Sequence, residues 1–184
     1  RSLIHNYSIS YAYSSSLIFE QNRVKTQRIL LIAPHYTNQS DNNSPIVLEG
    51  AKSEAQTILH GLIGNCESIG ISTEKDFKQN LDSPAIIHLA MHSSTDTINP
   101  KYSSLIFDTP TDSTEDGKLY SYEIAMNRME SPLVVLSACN TGSGALYHGE
   151  GIMSLARSFF LSGASAVINT LWDVNDEASA PIMT

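Results

Sequence analysis

Four short runs of the chain are apolar at odd and even positions alike: RILLIAP (Arg28 to Pro34), PAIIHLAMH (Pro84 to His92), LVVLSAC (Leu133 to Cys139) and ASAVINTLW (Ala164 to Trp172). A strand with one wet face alternates apolar and polar residues, whereas one that is apolar on both parities belongs in a sheet covered on both sides. This pattern predicts a parallel sheet with helices above and below it.

The intervening stretches supply those helices. From Leu48 the positions Ala51, Ala55, Ile58, Leu59, Leu62 and Ile63 recur at threes and fours, which places them on one helical face despite Gly50 and Gly61. ESIGIS reads as a weak strand. TEKDFKQNL opens on Thr73, a residue that caps a helix, with Glu74 and Asp76 complementing the positive end. Ile152, Leu155, Ala156, Phe159 and Phe160 form another helical stripe, and Gly163 is placed to end it. Strand and helix in alternation predict an open α/β sandwich. Two stretches break the alternation: Ser93 to Lys118, polar and turn-rich around a small strand SSLIF, and the turn Asn140-Thr-Gly-Ser-Gly144. Each follows a strand, and in open α/β sheets ligands bind beyond the carboxyl ends of strands.

At 184 residues the chain is within the size of one domain. It begins with Arg1 and ends at APIMT, and we expect a fragment lacking some N-terminal and C-terminal elements. A net charge of -8 opposes binding to phosphate backbones, so nucleic acid is not an expected partner. There is no run of eighteen apolar residues, so no membrane span is expected either. Cys66 and Cys139 are too few for a disulfide framework and show no C-x-x-C pairing, which favours a reducing, cytoplasmic setting and leaves a thiol available.

Cys139 stands where its strand ends, and His92 where the preceding one ends. If the two strands are neighbours, about 4.8 Å apart, a thiol and an imidazole leave the same rim of the sheet. An imidazole beside a thiol can take its proton during attack on a carbonyl and return it to the departing amine. Gly142 and Gly144 let a substrate backbone approach closely. The backbone N–H groups of Cys139 and Ser93 are the candidate oxyanion donors.

Plainer readings apply elsewhere. His88 shares the parity of His92 but lies inside its strand, which suits a hydrogen-bonded core role. His148 is a rival base in the loop after Cys139, less preorganised than a residue at a strand end. His35 could line the rim; a surface role is the simpler expectation, as it is for His5 and His60. Cys66 lacks any such setting. GSGALYHGEG lacks the Lys and Ser/Thr of a phosphate loop, and no set of His and Cys residues follows a zinc spacing.

IIHLAMHS, LVVLSACNTGSG and GEGIMSLARSFFLSGASAVINTLWDVND together resemble the CHAT domains, caspase-like relatives of the cysteine peptidases that also resemble separase. The resemblance extends from about Tyr7 to Thr184 and is specific from Ile86 onward. His92 and Cys139 lie 47 residues apart, close to the roughly 50 of caspases. It implies a caspase-hemoglobinase-like three-layer sandwich, endopeptidase activity without metal or organic cofactor, His92 as general base and Cys139 as nucleophile. Ser93 stands where many members carry glycine, and of the caspase signature only Ala138-Cys139 is present.

Separases carry a stretch similar to Leu171-Trp-Asp-Val174. Trp172, Asp173 and Asp176 are therefore expected in a substrate pocket, where carboxylates would select a basic residue before the cut. Glu150 is a further candidate carboxylate, or a complement to the following helix dipole. Asp173 and Asp176 as helix caps and Trp172 as a packing residue are the simpler alternatives. The expected partner is a protein or peptide substrate. Two other readings stand beside the peptidase: a non-catalytic interaction scaffold, and a latent enzyme whose loop from Ser93 to Lys118 orders on binding a regulatory protein.

Overall fold

The computed structural model describes residues 26–34, 36, 48–61, 67–108, 114–137, 145–147, 151–153, 155–170 and 181, with only the backbone for 68, 145–147 and 151–153. Five strands form one parallel sheet: β1 (Arg28–Ile32), β2 (Glu67–Ile71), β3 (Ile86–Leu89), β7 (Val134–Leu136) and β10 (Val167–Asn169), in the spatial order β10-β7-β3-β1-β2. The order reverses between β1 and β3, since the chain steps outward to β2 and then returns to the other side. That is the topological switch point, where open α/β sheets place their ligands.

The register explains why both parities are apolar. Leu30, Ile87 and Val134 lie in one row and Ile32, Leu89 and Leu136 in another, all buried in a core cluster with Phe77, Ile124 and Phe159. Phe77 comes from helix α2 (Glu74–Gln79), Ile124 from α3 (Ser121–Met126) and Phe159 from α4 (Leu155–Ser162). Leu31, His88 and Val135 form the intervening row and point to the opposite face, towards α1 (Glu49–Gly61). Helices on both faces make three layers. Each large side chain so buried contributes roughly 1.5–3 kcal/mol.

Three expectations change. Leu59, placed on the buried stripe of α1, is 46% exposed, and Glu54 is buried with Ala51 and Ala55 instead. Ile152, expected on a helical stripe, lies in β9 (Gly151–Met153), which pairs antiparallel with β8 (Ala145–Tyr147). Pairing between strands there wins over a helical period that the sequence continues by chance into the hairpin. The stretch from Ser93 to Lys118 carries more than a small strand: β4 (His92–Ser94), β5 (Ser104–Ile106) and β6 (Lys118–Tyr120) build an antiparallel sheet of their own, with a 3-10 turn at Pro100–Tyr102.

Candidate active site

The segments that follow β3 and β7 leave the same rim side by side. Leu89 lies opposite Leu136, and the strand rows are carried one step further by two backbone bonds: Ala90 N–H donates to Ile32 C=O at 2.8 Å, and Ser137 N–H to Leu89 C=O at 2.8 Å. His92 is three residues past Leu89, and Cys139 three residues past Leu136. The neighbouring strands that the sequence reading required are therefore present. Cys139 itself lies outside the described residues, as do Glu150, Trp172, Asp173, Asp176, His148, His35, Cys66, Gly142 and Gly144. β10 adjoins β7 in parallel, with Asn169 opposite Leu136. The segment that leads to Trp172 thus starts beside the one that leads to Cys139.

His92 is half-buried where the chain turns out of the main sheet into β4, opposite Ile106. Ser93 follows it, opposite Leu105. The support for this corner comes from a residue the sequence reading passed over. Tyr36, just beyond β1, is 4% exposed and has a φ of 47°, a left-handed conformation uncommon outside glycine. Three hydrogen bonds hold it there. Its N–H donates to Asp108 Oδ1 at 2.7 Å, its hydroxyl donates to Ile106 C=O at 2.8 Å, and the same oxygen accepts the His92 N–H at 2.9 Å. Its ring packs on the imidazole, centroids 4.9 Å apart and planes tilted by 53°. Burial pushes the Tyr36 hydroxyl well above its ordinary value, the His92 N–H opposing this, so at neutral pH it stays a neutral donor.

His88 has the core role its position suggested. Its Nε2 shares a hydrogen bond with Glu54 Oε1, both side chains buried. Glu54 Oε2 accepts from Ser137 Oγ at 2.8 Å. The signal for Glu54 was available: a carboxylate between Ala51 and Ala55 on an otherwise buried stripe requires a partner, and a histidine inside an apolar strand is one. Tyr36 had no comparable signal. His60 is an exposed helical residue whose Nδ1 bonds Gln56 C=O, as expected of a surface position.

Among the described residues one group could ligate a metal ion: Glu74, Glu115 and Glu123, with ligand atoms within 4.8 Å of one another. Its centre holds an ammonium. Lys78 Nζ lies 2.7 Å from Glu74, 2.8 Å from Glu115 and 3.1 Å from Glu123, and these carboxylates push it above its ordinary value despite desolvation. Glu74 also accepts the Gly117 N–H at 3.0 Å, and Glu123 that of Tyr120 at 2.9 Å. The cluster joins α2 to the approach to β6 and to α3. Through the N–H groups of Gly117 and Tyr120 it is tied to both ends of β6, a strand of the antiparallel sheet that begins at His92.

A parallel sheet of five strands in the order β10-β7-β3-β1-β2, with helices on both faces, is the architecture of a caspase-like α/β domain. The family model described as CHAT domain matches residues 1–184, the whole sequence given, and the chain belongs to that family. No curated protein matches it. Among the described residues no helix is long and apolar enough to cross a membrane.

Proposed function

We propose that this CHAT domain is a cysteine endopeptidase in which His92 and Cys139 act as a dyad. The observation that supports it is the pairing of β3 with β7, with Leu89 opposite Leu136: the two residues follow at the same count from one row of the sheet. A side chain carried that far beyond two adjoining strands has a neighbour within proton-transfer reach when both segments stay near the rim.

The chemistry follows in two halves. His92 takes the thiol proton as Cys139 sulfur adds to the peptide carbonyl, and the N–H groups of Cys139 and Ser93 receive the oxyanion. Collapse of the tetrahedral adduct breaks the C–N bond, with the proton on His92 passing to the departing amine and a thioester remaining on Cys139. Water, deprotonated by His92, then hydrolyses the thioester and restores the thiol. Tyr36 fixes the main chain of His92 and one face of its ring throughout. Trp172, Asp173 and Asp176, with Glu150, would form the pocket for a basic residue before the cleaved bond, since a desolvated Arg or Lys needs a carboxylate. The proposed setting is cytoplasmic, and activation by a regulatory protein partner is part of the proposal.

Peptides with Arg or Lys before the scissile bond test it. Cys139→Ala should abolish turnover. Undiminished cleavage by that variant would end the proposal, and a wild-type Cys139 no more reactive than cysteine in a free peptide would favour the non-catalytic scaffold.

A further inference from the structure

The proposed reaction makes no use of Glu54, although this carboxylate is 1% exposed. A buried carboxylate persists only where its oxygens are engaged, because desolvation otherwise disfavours its charged form. Both oxygens of Glu54 are engaged, and with the two strands that lead to the dyad. Oε1 bonds His88 Nε2; His88 is in β3, four residues ahead of His92. Oε2 accepts from Ser137 Oγ at 2.8 Å; Ser137 immediately follows β7, two residues ahead of Cys139. The Ser137 N–H is at the same time bound to Leu89 C=O. Main chain and side chain of Ser137 are thus fixed in two directions, one along the sheet and one towards α1.

We propose that Glu54 is a positioning residue for the dyad: from α1 it links His88 to Ser137 and so sets the relative height of the two strand ends that deliver His92 and Cys139. The inference rests on the dyad reading. Strand ends fray because their last residues have fewer neighbours, and a proton transfer between sulfur and nitrogen tolerates little displacement. A shift of about 1 Å at a reacting pair can cost about 100-fold in rate. In a water-poor layer a bridging carboxylate is a stiff link, as each of its bonds is stronger there than in solvent. Leu59 could have filled the stripe on α1 with apolar surface, yet the helix turns Glu54 inward and leaves Leu59 out. The orientation that α1 adopts is the one that serves the two strand ends.

The test compares the wild-type chain with Glu54→Gln, Glu54→Ala and Ser137→Ala, each shown to be folded by near-UV circular dichroism. Iodoacetamide is the probe, and its second-order rate at Cys139, resolved from Cys66 by peptide mass spectrometry, is followed as a function of pH. Glu54→Ala should react about 10- to 100-fold more slowly at neutral pH, with the apparent thiol pKa rising towards the ~8.5 of free cysteine. Glu54→Gln should recover most of the rate, because its amide keeps an oxygen for Ser137 and an N–H for the imidazole. Combining Ser137→Ala with Glu54→Ala should add little to the single losses, as both break one link. A folded Glu54→Ala protein with the wild-type rate and pKa would overturn the proposal. If Glu54→Ala does not fold, Ser137→Ala decides, and an unchanged rate there overturns it equally. Failure of the dyad reading has a different signature: the unsubstituted protein would already react as a free cysteine does.

Discussion

Replacing Tyr36 by Phe isolates what one hydroxyl does for the corner that carries His92. The ring contact with the imidazole, 4.9 Å between centroids, and the φ of 47° are retained. Two hydrogen bonds disappear, the one accepted from His92 N–H at 2.9 Å and the one donated to Ile106 C=O at 2.8 Å. Each is worth about 1 kcal/mol net, and a backbone group left without a partner adds to the loss when it stays dry. Both groups are partly buried, so some rehydration is available, and the sum is about 2–3 kcal/mol. For a domain of this size that corresponds to a fall in Tm of roughly 4–12 °C. The alkaline limb provides a second readout. Burial raises the folded-state pKa of Tyr36 above its ordinary value of 10.0, so above pH ~10 the unfolded chain ionises first and binds fewer protons than the native one, and stability declines as pH rises. The Tyr36 share of that decline approaches about 1.4 kcal/mol per pH unit, and Tyr36→Phe should remove it. Urea unfolding measured across neutral and alkaline pH checks both. A variant within about 0.5 kcal/mol of wild type, with an unaltered alkaline slope, would refute the reasoning.

Two further substitutions probe the surroundings of the site. Lys78→Met leaves three carboxylates facing one another, Glu74 among them almost fully buried, and should cost about 2–4 kcal/mol at neutral pH. Denaturation at lower pH should show that deficit shrinking as the carboxylates protonate, and a deficit independent of pH would contradict the electrostatic account. Gly163, which ends α4, has a φ of +116°, and a Cβ built there would lie 2.3 Å from the Met129 carbonyl oxygen. Gly163→Ala should therefore lose on the order of 2 kcal/mol or more, and a thermal melt unchanged from wild type would show that the turn relaxes more easily than the geometry allows.

The central sheet could be read from the sequence because its cause is local and strong. RILLI, IIHL and VVL are apolar on both parities, and the register shows each parity supplying a different buried row. Thr73 likewise announced α2, and its Oγ1 does accept the Asp76 N–H at 3.2 Å. What the periodicity missed depends on distant partners. β4, β5 and β6 are three residues each, too short to show an alternation, and exist because they pair with one another. β9 was hidden under a helical stripe that happens to include Ile152. At the site, the sequence runs the strand on to His92, whereas β3 ends at Leu89 and His92 opens β4 because it pairs with Ile106; Tyr36 matters through a hydroxyl that meets residues 56 and 70 positions away. Glu54 illustrates an intermediate case. Its charge broke the apolar stripe and His88 broke the apolar strand, and only the fold brings the two irregularities together.

The strand order also decides which elements flank the corner at His92. Tyr36 follows β1 and His92 follows β3, the pair of strands between which the sheet order reverses. On the other side β7 and β10 run on from β3 in order, so that successive segments leave the rim next to one another. Held by Tyr36 on the β1 side and by the Glu54 link on the β7 side, the carboxyl end of β3 is anchored at both flanks.

The central claim is most directly tested by the reaction of Cys139 with a peptidyl chloromethyl ketone ending in arginine, followed as a function of pH in the wild-type chain and in His92→Ala. The account predicts that wild-type Cys139 is modified far faster than a cysteine in an unstructured peptide, with an apparent pKa below ~8.5, and that His92→Ala falls back to the unstructured rate. Equal rates and equal pH profiles for the two proteins would contradict it.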